Sequence, residues 1–161
     1  MARKTIKIFL DSNVILSGLL SHKGAPRVIL DILCLELPSL KGVTGEYNLL
    51  EIERNILKKL PAILDIYQSY LPKLYLEVVP LPSPEALTPY FNIINDKDAP
   101  VLASALISSA DYLVTGDKKD FEKLKDNDAI PIKVVSPSEL VYLLGLAFSD
   151  EINAERSGKT A

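Results

Sequence analysis

The stretch Lys7–Leu16, KIFLDSNVIL, decides how the chain is read. Apolar residues run up to Leu10, stop on Asp11-Ser12-Asn13, and resume at Val14, with no glycine or proline to make an ordinary turn. Such a break joins a buried strand to a helix. Residues 5–10 are expected as the strand, and residues 12–21 as a short helix stopped near Ser21-His22-Lys23-Gly24. A carboxylate at the end of a buried strand is costly without a partner. Asp11 therefore either caps the helix that follows it, a common use of aspartate, or meets a cation.

The same alternation continues outward from this junction. Pro26 stands in the first turn of a second helix, about 26–35, where its missing N–H costs little. LPSLKGVT, residues 37–44, holds a short strand. Glu46 to Leu60 reads as a long helix ended by Pro61, and residues 62–71 as another ended by Pro72. LYLEVVPL, 74–81, is a β-rich run, and PSPEALTPYF, 82–91, is a proline-punctuated connection with room for one helical turn. A helix over 98–110 precedes the strand 112–115 of DYLVTGD. FEKLK can add a short helix, PIKVVS gives the last strand, and SPSELVYLLGL a final helix capped by Ser136 or Ser138. Strands alternating with helices predict a parallel sheet covered on both faces, a three-layer α/β/α sandwich of Rossmann-like type. One domain is expected over residues 1–147, with a polar tail over 148–161. In open sheets of this kind ligands bind beyond the carboxyl ends of the strands. Two strands here run into acids at that rim, Asp11 and Asp117.

Composition narrows the chemistry. The chain has 161 residues, 48% of them hydrophobic, and a net charge of −3, so no global basic field advertises nucleic acid and any such contact is local or metal-borne. Cys34 is the only cysteine and His22 the only histidine, which leaves no internal disulfide and no zinc site of the usual kind. The apolar runs fall short of the roughly 18 residues of a membrane span, and Lys7 interrupts the pattern of a signal peptide. A cytoplasmic protein is expected. The chain has no Gly-rich phosphate loop and no nucleophile elbow, and one histidine makes Ser-His-Asp chemistry an unattractive reading.

Two helices add acids to the two strand ends. Asp98 stands in the first turn of the 98–110 helix, with Asp96 as competitor, and capping is the plainer use of an acid there. On the 46–60 helix Asn48, Glu51 and Asn55 share one face. Glu46 and Glu53 compete with Glu51, and periodicity does not choose among them. Carboxylates gathered on one rim repel one another unless a cation intervenes. Oxygen-only ligands suit Mg²⁺ or Mn²⁺. The chemistry left is metal-assisted hydrolysis of a phosphodiester.

Four segments, FLDSNVILSGLL, VTGEYNLLEIERNIL, DKDAPVLASAL and DYLVTGD, together resemble the PIN domain, a metal-dependent ribonuclease fold. The resemblance runs from about Lys7 to Leu144. It implies that the family's four acids fall on Asp11, Glu51, Asp98 and Asp117. It also implies that Ser12, Asn13 and Thr115 orient metal ligands or water. Its close look-alikes are VapC-like toxins of toxin–antitoxin pairs, so an RNA substrate and an antitoxin partner are implied too. Gly45 stands where the family often has Ser or Thr. DKKDF replaces the usual sequence after Asp117, so Asp120 need not be a ligand.

Two other readings compete: a non-catalytic PIN-fold module that binds RNA or assembles, and a phosphatase-like α/β domain with a strand-end aspartate as nucleophile. The second wants an aspartate two residues after Asp11, where Asn13 stands. An RNA path is expected along Arg54, Lys58 and Lys59 and along Lys118 and Lys119, although each could be a solvated surface charge. Ile63, Leu64, Ile66, Tyr67, Tyr70 and Leu71 are too many apolar residues for one face of the 62–71 helix, which predicts a homodimer or higher homo-oligomer.

Overall fold

The computed structural model describes residues 4–124 and 130–159. Five parallel strands form one sheet in the order β3-β2-β1-β4-β5, with β1 Ile6–Leu10, β2 Leu40–Gly45, β3 Glu77–Val79, β4 Tyr112–Val114 and β5 Lys133–Val135. The helices are α1 Ser12–Leu20, α2 Ala25–Cys34, α3 Glu46–Lys59, α4 Leu64–Tyr70, α5 Pro84–Leu87, α6 Ala99–Ile107 and α7 Pro137–Lys159.

The strand period of two splits the core into two layers. Ile8 and Leu10 face one way from β1, onto Val14, Ile29, Leu30, Ile52, Ile56 and Leu140 of α1, α2, α3 and α7. Phe9 faces the other way, with Val43 and Leu113, onto Leu102 and Ala105 of α6 and onto Phe121. The expected three-layer sandwich is therefore present. β1 is the central strand. Its register with β2 and β4 brings the carboxyl ends of all three strands to one rim. Thr44 on β2 is fully buried and donates its hydroxyl to the Leu10 carbonyl at 2.9 Å, which ties two of those ends together.

Several expected elements differ in extent. The β-rich run 74–81 contributes only Glu77–Val79 to the sheet. Leu71–Leu74 form a 3₁₀ turn, and Tyr75 takes φ +51°, a left-handed conformation that no strand contains. The 62–71 helix is a 3₁₀ turn over Pro61–Ile63 followed by α4, since proline bounds the segment at each end. Lys118–Leu124 are 3₁₀ rather than α-helical. α7 does not end near residue 147. It continues to Lys159, and residues 152–158 are exposed. Its start is a capping box: Ser136 Oγ accepts from Glu139 N at 3.1 Å, and Glu139 Oε1 accepts from Ser136 N at 3.4 Å.

The apolar residues of the 62–71 segment are mostly used within the chain. Tyr67 is buried, Ile63, Leu64, Tyr70 and Leu71 pack on the α1/α2 side of the core, and Ile66 alone stands 57% exposed. The apolar surplus that pointed to a homo-oligomer is thus largely covered by the chain itself. No helix among the described residues is long and apolar enough to cross a membrane.

α1 and α2 cross so closely that a side chain at Gly18 has no room. A Cβ there would stand 2.5 Å from Leu30 Cδ1 and 3.0 Å from the Pro26 carbonyl oxygen. Gly18→Val should therefore destabilise the fold by about 1–3 kcal/mol, the usual cost of overpacking. Urea denaturation that leaves the midpoint unchanged would show the two helices free to separate.

Candidate active site

Asp11 N–H donates to the Val114 carbonyl at 3.0 Å, which extends the β1–β4 ladder by one residue before α1 begins. The rigid sheet thereby fixes the aspartate's backbone. Its side chain is 8% exposed, and donors from three parts of the chain hold it. Ser12 N–H donates to Oδ1 at 2.8 Å, Asn48 Nδ2 to the same oxygen at 3.2 Å, and Thr115 Oγ1 to Oδ2 at 2.8 Å. Helix capping is therefore real here, but it is one contact of three. Burial raises the Asp11 pKa to about 6. The hydrogen bonds from Thr115 and Ser12 oppose that rise, and the negative charges of Glu51 and Asp117 add to it.

The second strand-end acid is tied to the first. Asp117 N–H donates to Thr115 Oγ1 at 3.1 Å, so one hydroxyl serves both acids. Asn13 clamps the loop from the other side. Its Nδ2 donates to Asp117 Oδ2 at 3.1 Å, and its Oδ1 accepts from Gly116 N at 2.9 Å.

The two helix acids lie within electrostatic reach of the strand-end acids. On α3, Glu51 is half-buried while Glu46 and Glu53 are exposed, and Glu46 Oε2 instead accepts from Leu81 N at 3.1 Å. Burial is the main cause of the raised Glu51 pKa, followed by the charge of Asp98. Asp98 is half-buried where Asp96 is exposed. It occupies the N-cap position of α6 without making a side-chain cap, and its Oδ2 is buried with no partner. Burial and then the charge of Asp120 raise its pKa to about 6, with Asp11 and Asp117 adding to the effect. Asp120, discounted in the sequence, is thus an electrostatic neighbour of the group, and it pairs with Lys97 at 3.9 Å.

Asp11, Glu51, Asp98 and Asp117 therefore lie within one another's fields, yet they do not stand as a closed cage. Among the described residues no group of three or more His, Cys, Asp or Glu is placed to hold an ion. Asn13 Nδ2 holds the Asp117 carboxylate. The donor chemistry still suits a hard divalent cation: every candidate is an oxygen, one is buried and unpartnered, and two acids titrate abnormally high.

Three neighbours were given no role from the sequence. Asn48, fully buried on α3, was visible only as one polar residue beside Glu51. Tyr47 donates its hydroxyl to the Lys97 carbonyl at 3.2 Å and so ties α3 to the segment that carries Asp98. Burial raises the Tyr47 pKa, with Glu51 and Asp98 contributing next. Lys97 itself lowers the pKa of both Glu51 and Asp98. Of the expected RNA-facing cations, Arg54 adjoins Glu51, Lys58, Lys59 and Lys119 are exposed, and the Lys118 side chain lies outside the described residues. A cavity of about 480 Å³ lies elsewhere, lined by Thr5, Lys7, Lys41 and Glu77 near the amino ends of the strands.

The family profile of the PIN domain matches residues 7–119. The chain belongs to the PIN-domain family. Solved structures agree on the fold. VapBC2 from Rickettsia felis, crystallised bound to a DNA fragment from its promoter, is 17% identical with TM-score 0.59, over 81% of this chain and 98% of the other. VapBC-1 from nontypeable Haemophilus influenzae is 16% identical with TM-score 0.59, over 83% and 99%. PAE2754 from Pyrobaculum aerophilum is 15% identical with TM-score 0.58, over 88% and 96%. No curated protein matches the chain significantly. The matched residues include Asp11, Glu51, Asp98 and Asp117.

The raised acids give the PIN fold a defined pH response. Asp11 has a folded-state pKa of about 6 against an ordinary 3.8, so between these values the folded chain holds a proton that the unfolded chain has lost. Stability is therefore highest below about pH 4 for this group, falls as pH rises to about 6, and is level above. In metal-free buffer the Asp11→Asn variant should melt several degrees above the parent at pH 7.5, and the gap should close as pH falls to 4. A gap of constant size across that range would contradict a raised Asp11 pKa.

Proposed function

We propose that the chain is an endoribonuclease that depends on Mg²⁺ or Mn²⁺ and hydrolyses RNA phosphodiester bonds as the toxin of a toxin–antitoxin pair in the cytoplasm. The observation that carries this reading is the buried Asp11 carboxylate, fixed by three donors and within electrostatic reach of Glu51, Asp98 and Asp117. A structural cap needs no desolvated acid among three others. Such an arrangement costs stability at neutral pH and is relieved by a cation.

Asp11, Glu51, Asp98 and Asp117 are the residues that would hold the ion. When bound, a divalent ion supplies charge to the phosphoryl oxygens and lowers the pKa of an attacking water. The chain's own part is positional. Thr115 and Ser12 fix the Asp11 carboxylate, and Asn13 fixes the Asp117 loop. Tyr47 holds the segment that carries Asp98. Arg54, Lys58, Lys118 and Lys119 are the residues we assign to contact with the RNA backbone. Support for an antitoxin partner comes from the VapBC structures that share the fold.

Asp11→Asn keeps the size of the side chain and removes the charge. It should cut cleavage of labelled single-stranded RNA about a hundredfold or more, since metal-centred stabilisation is worth several kcal/mol and about 1.4 kcal/mol is tenfold. RNA binding should persist. Equal cleavage by the parent protein in EDTA, or by the variant in Mn²⁺, would reject the mechanism.

A further inference from the structure

Asn48 lies on α3, one turn before Glu51, and is fully buried. Its Nδ2 donates to Asp11 Oδ1 at 3.2 Å and to Ser12 Oγ at 3.0 Å, and its backbone carbonyl accepts from Ser12 Oγ at 3.3 Å. Its own Oδ1 is buried with no partner. An unpaired buried amide oxygen carries a desolvation cost that an apolar residue would avoid, so stability alone does not account for an asparagine here.

The acceptor capacity of Asp11 shows what the amide does. An ionised carboxylate has about four in-plane acceptor directions. Ser12 N and Asn48 Nδ2 take two on Oδ1, and Thr115 Oγ1 takes one on Oδ2. One direction is left, on Oδ2. We infer that Asn48 is a positioning residue that closes Asp11 Oδ1 and makes this carboxylate a one-oxygen ligand for a divalent cation. The inference rests on the metal-nuclease reading above.

Gly45 belongs to the same unit. A Cβ at position 45 would stand 2.8 Å from Asn48 Oδ1 and 3.1 Å from Ser104 Oγ, itself buried without a partner. A side chain there would force the Asn48 amide to shift from the position in which it meets Asp11. Glycine at position 45 leaves the Asn48 amide this room.

One-oxygen carboxylates suit the small octahedral ions, whereas Ca²⁺ accepts carboxylates through both oxygens. Opening the acceptor direction that Asn48 takes on Oδ1 should therefore alter ion choice, an effect that loosened packing alone does not produce. Calorimetric titration of the full chain with Mn²⁺ and with Ca²⁺, in the parent protein, Asn48→Ala, Gly45→Ala and the double variant, reads this directly. The ratio of Mn²⁺ to Ca²⁺ affinity should fall about tenfold in Asn48→Ala and in the same direction in Gly45→Ala. Adding Gly45→Ala to Asn48→Ala should change nothing more. Gly45→Ala removes no donor, so it carries the test alone if Asn48→Ala does not fold by circular dichroism. A parent protein that binds Mn²⁺ while folded variants keep its ion ratio within twofold overturns the inference and leaves the nuclease reading intact. Equal effects of Gly45→Ala in both backgrounds also overturn it. A parent protein that binds no Mn²⁺ overturns both.

Discussion

The Asp11 carboxylate is the point on which three separate parts of the chain converge. Ser12 comes from the following helix, Asn48 from α3 and Thr115 from the end of β4. Each donor compensates part of the cost of a charge taken out of water, and each fixes the position of the element that carries it. The β1–β4 ladder and the Thr44 bond to Leu10 then hold the strands that bring these donors together. Burial still dominates the pKa of the acid, so the charged form costs the fold stability. The site is held rigid at some expense to the fold, as expected where function sets the geometry.

Much of the architecture was legible in the sequence because strong local patterns and global fold agree. The apolar run Ile6–Leu10, the Pro26 and Pro61 boundaries and the Ser136 cap each signal one element, and the helices and strands follow in α/β order. The failures are places where one residue overrides a propensity. Val78 and Val79 favour a long strand, yet Tyr75 turns the chain left-handed and leaves three residues for β3. Residues after Phe148 are polar enough to suggest a tail, but a polar helix face needs only solvent, and α7 runs on.

At the site, Asp11 and Asp117 could be named because a parallel sheet dictates where strand ends go. Glu51 could not be chosen over Glu46 and Glu53 by periodicity, since all three lie on one helix and only the way α3 crosses the sheet decides which is half-buried. Asn48, Gly45 and Ser104 were illegible for the same reason. Their relation is a matter of close approach between β2, α3 and α6, where a Cβ added at Gly45 would crowd Asn48 and Ser104, and no one-dimensional pattern carries it.

The Thr115 hydroxyl has a consequence for the order of events in synthesis. It joins residues 104 apart in sequence, because Thr115 must meet Asp11, and Asn13 must meet Asp117 across the same span. Contacts of such separation form late, after the entropy of closing a long loop has been overcome. A nascent chain that has displayed β1, β2 and α3 therefore holds Asp11 with one side unsupported and lacks Asp117 altogether. No chain made only as far as α6 can present the finished rim. Completion of the acid group is coupled to the emergence of β4, more than two-thirds of the way along the polypeptide.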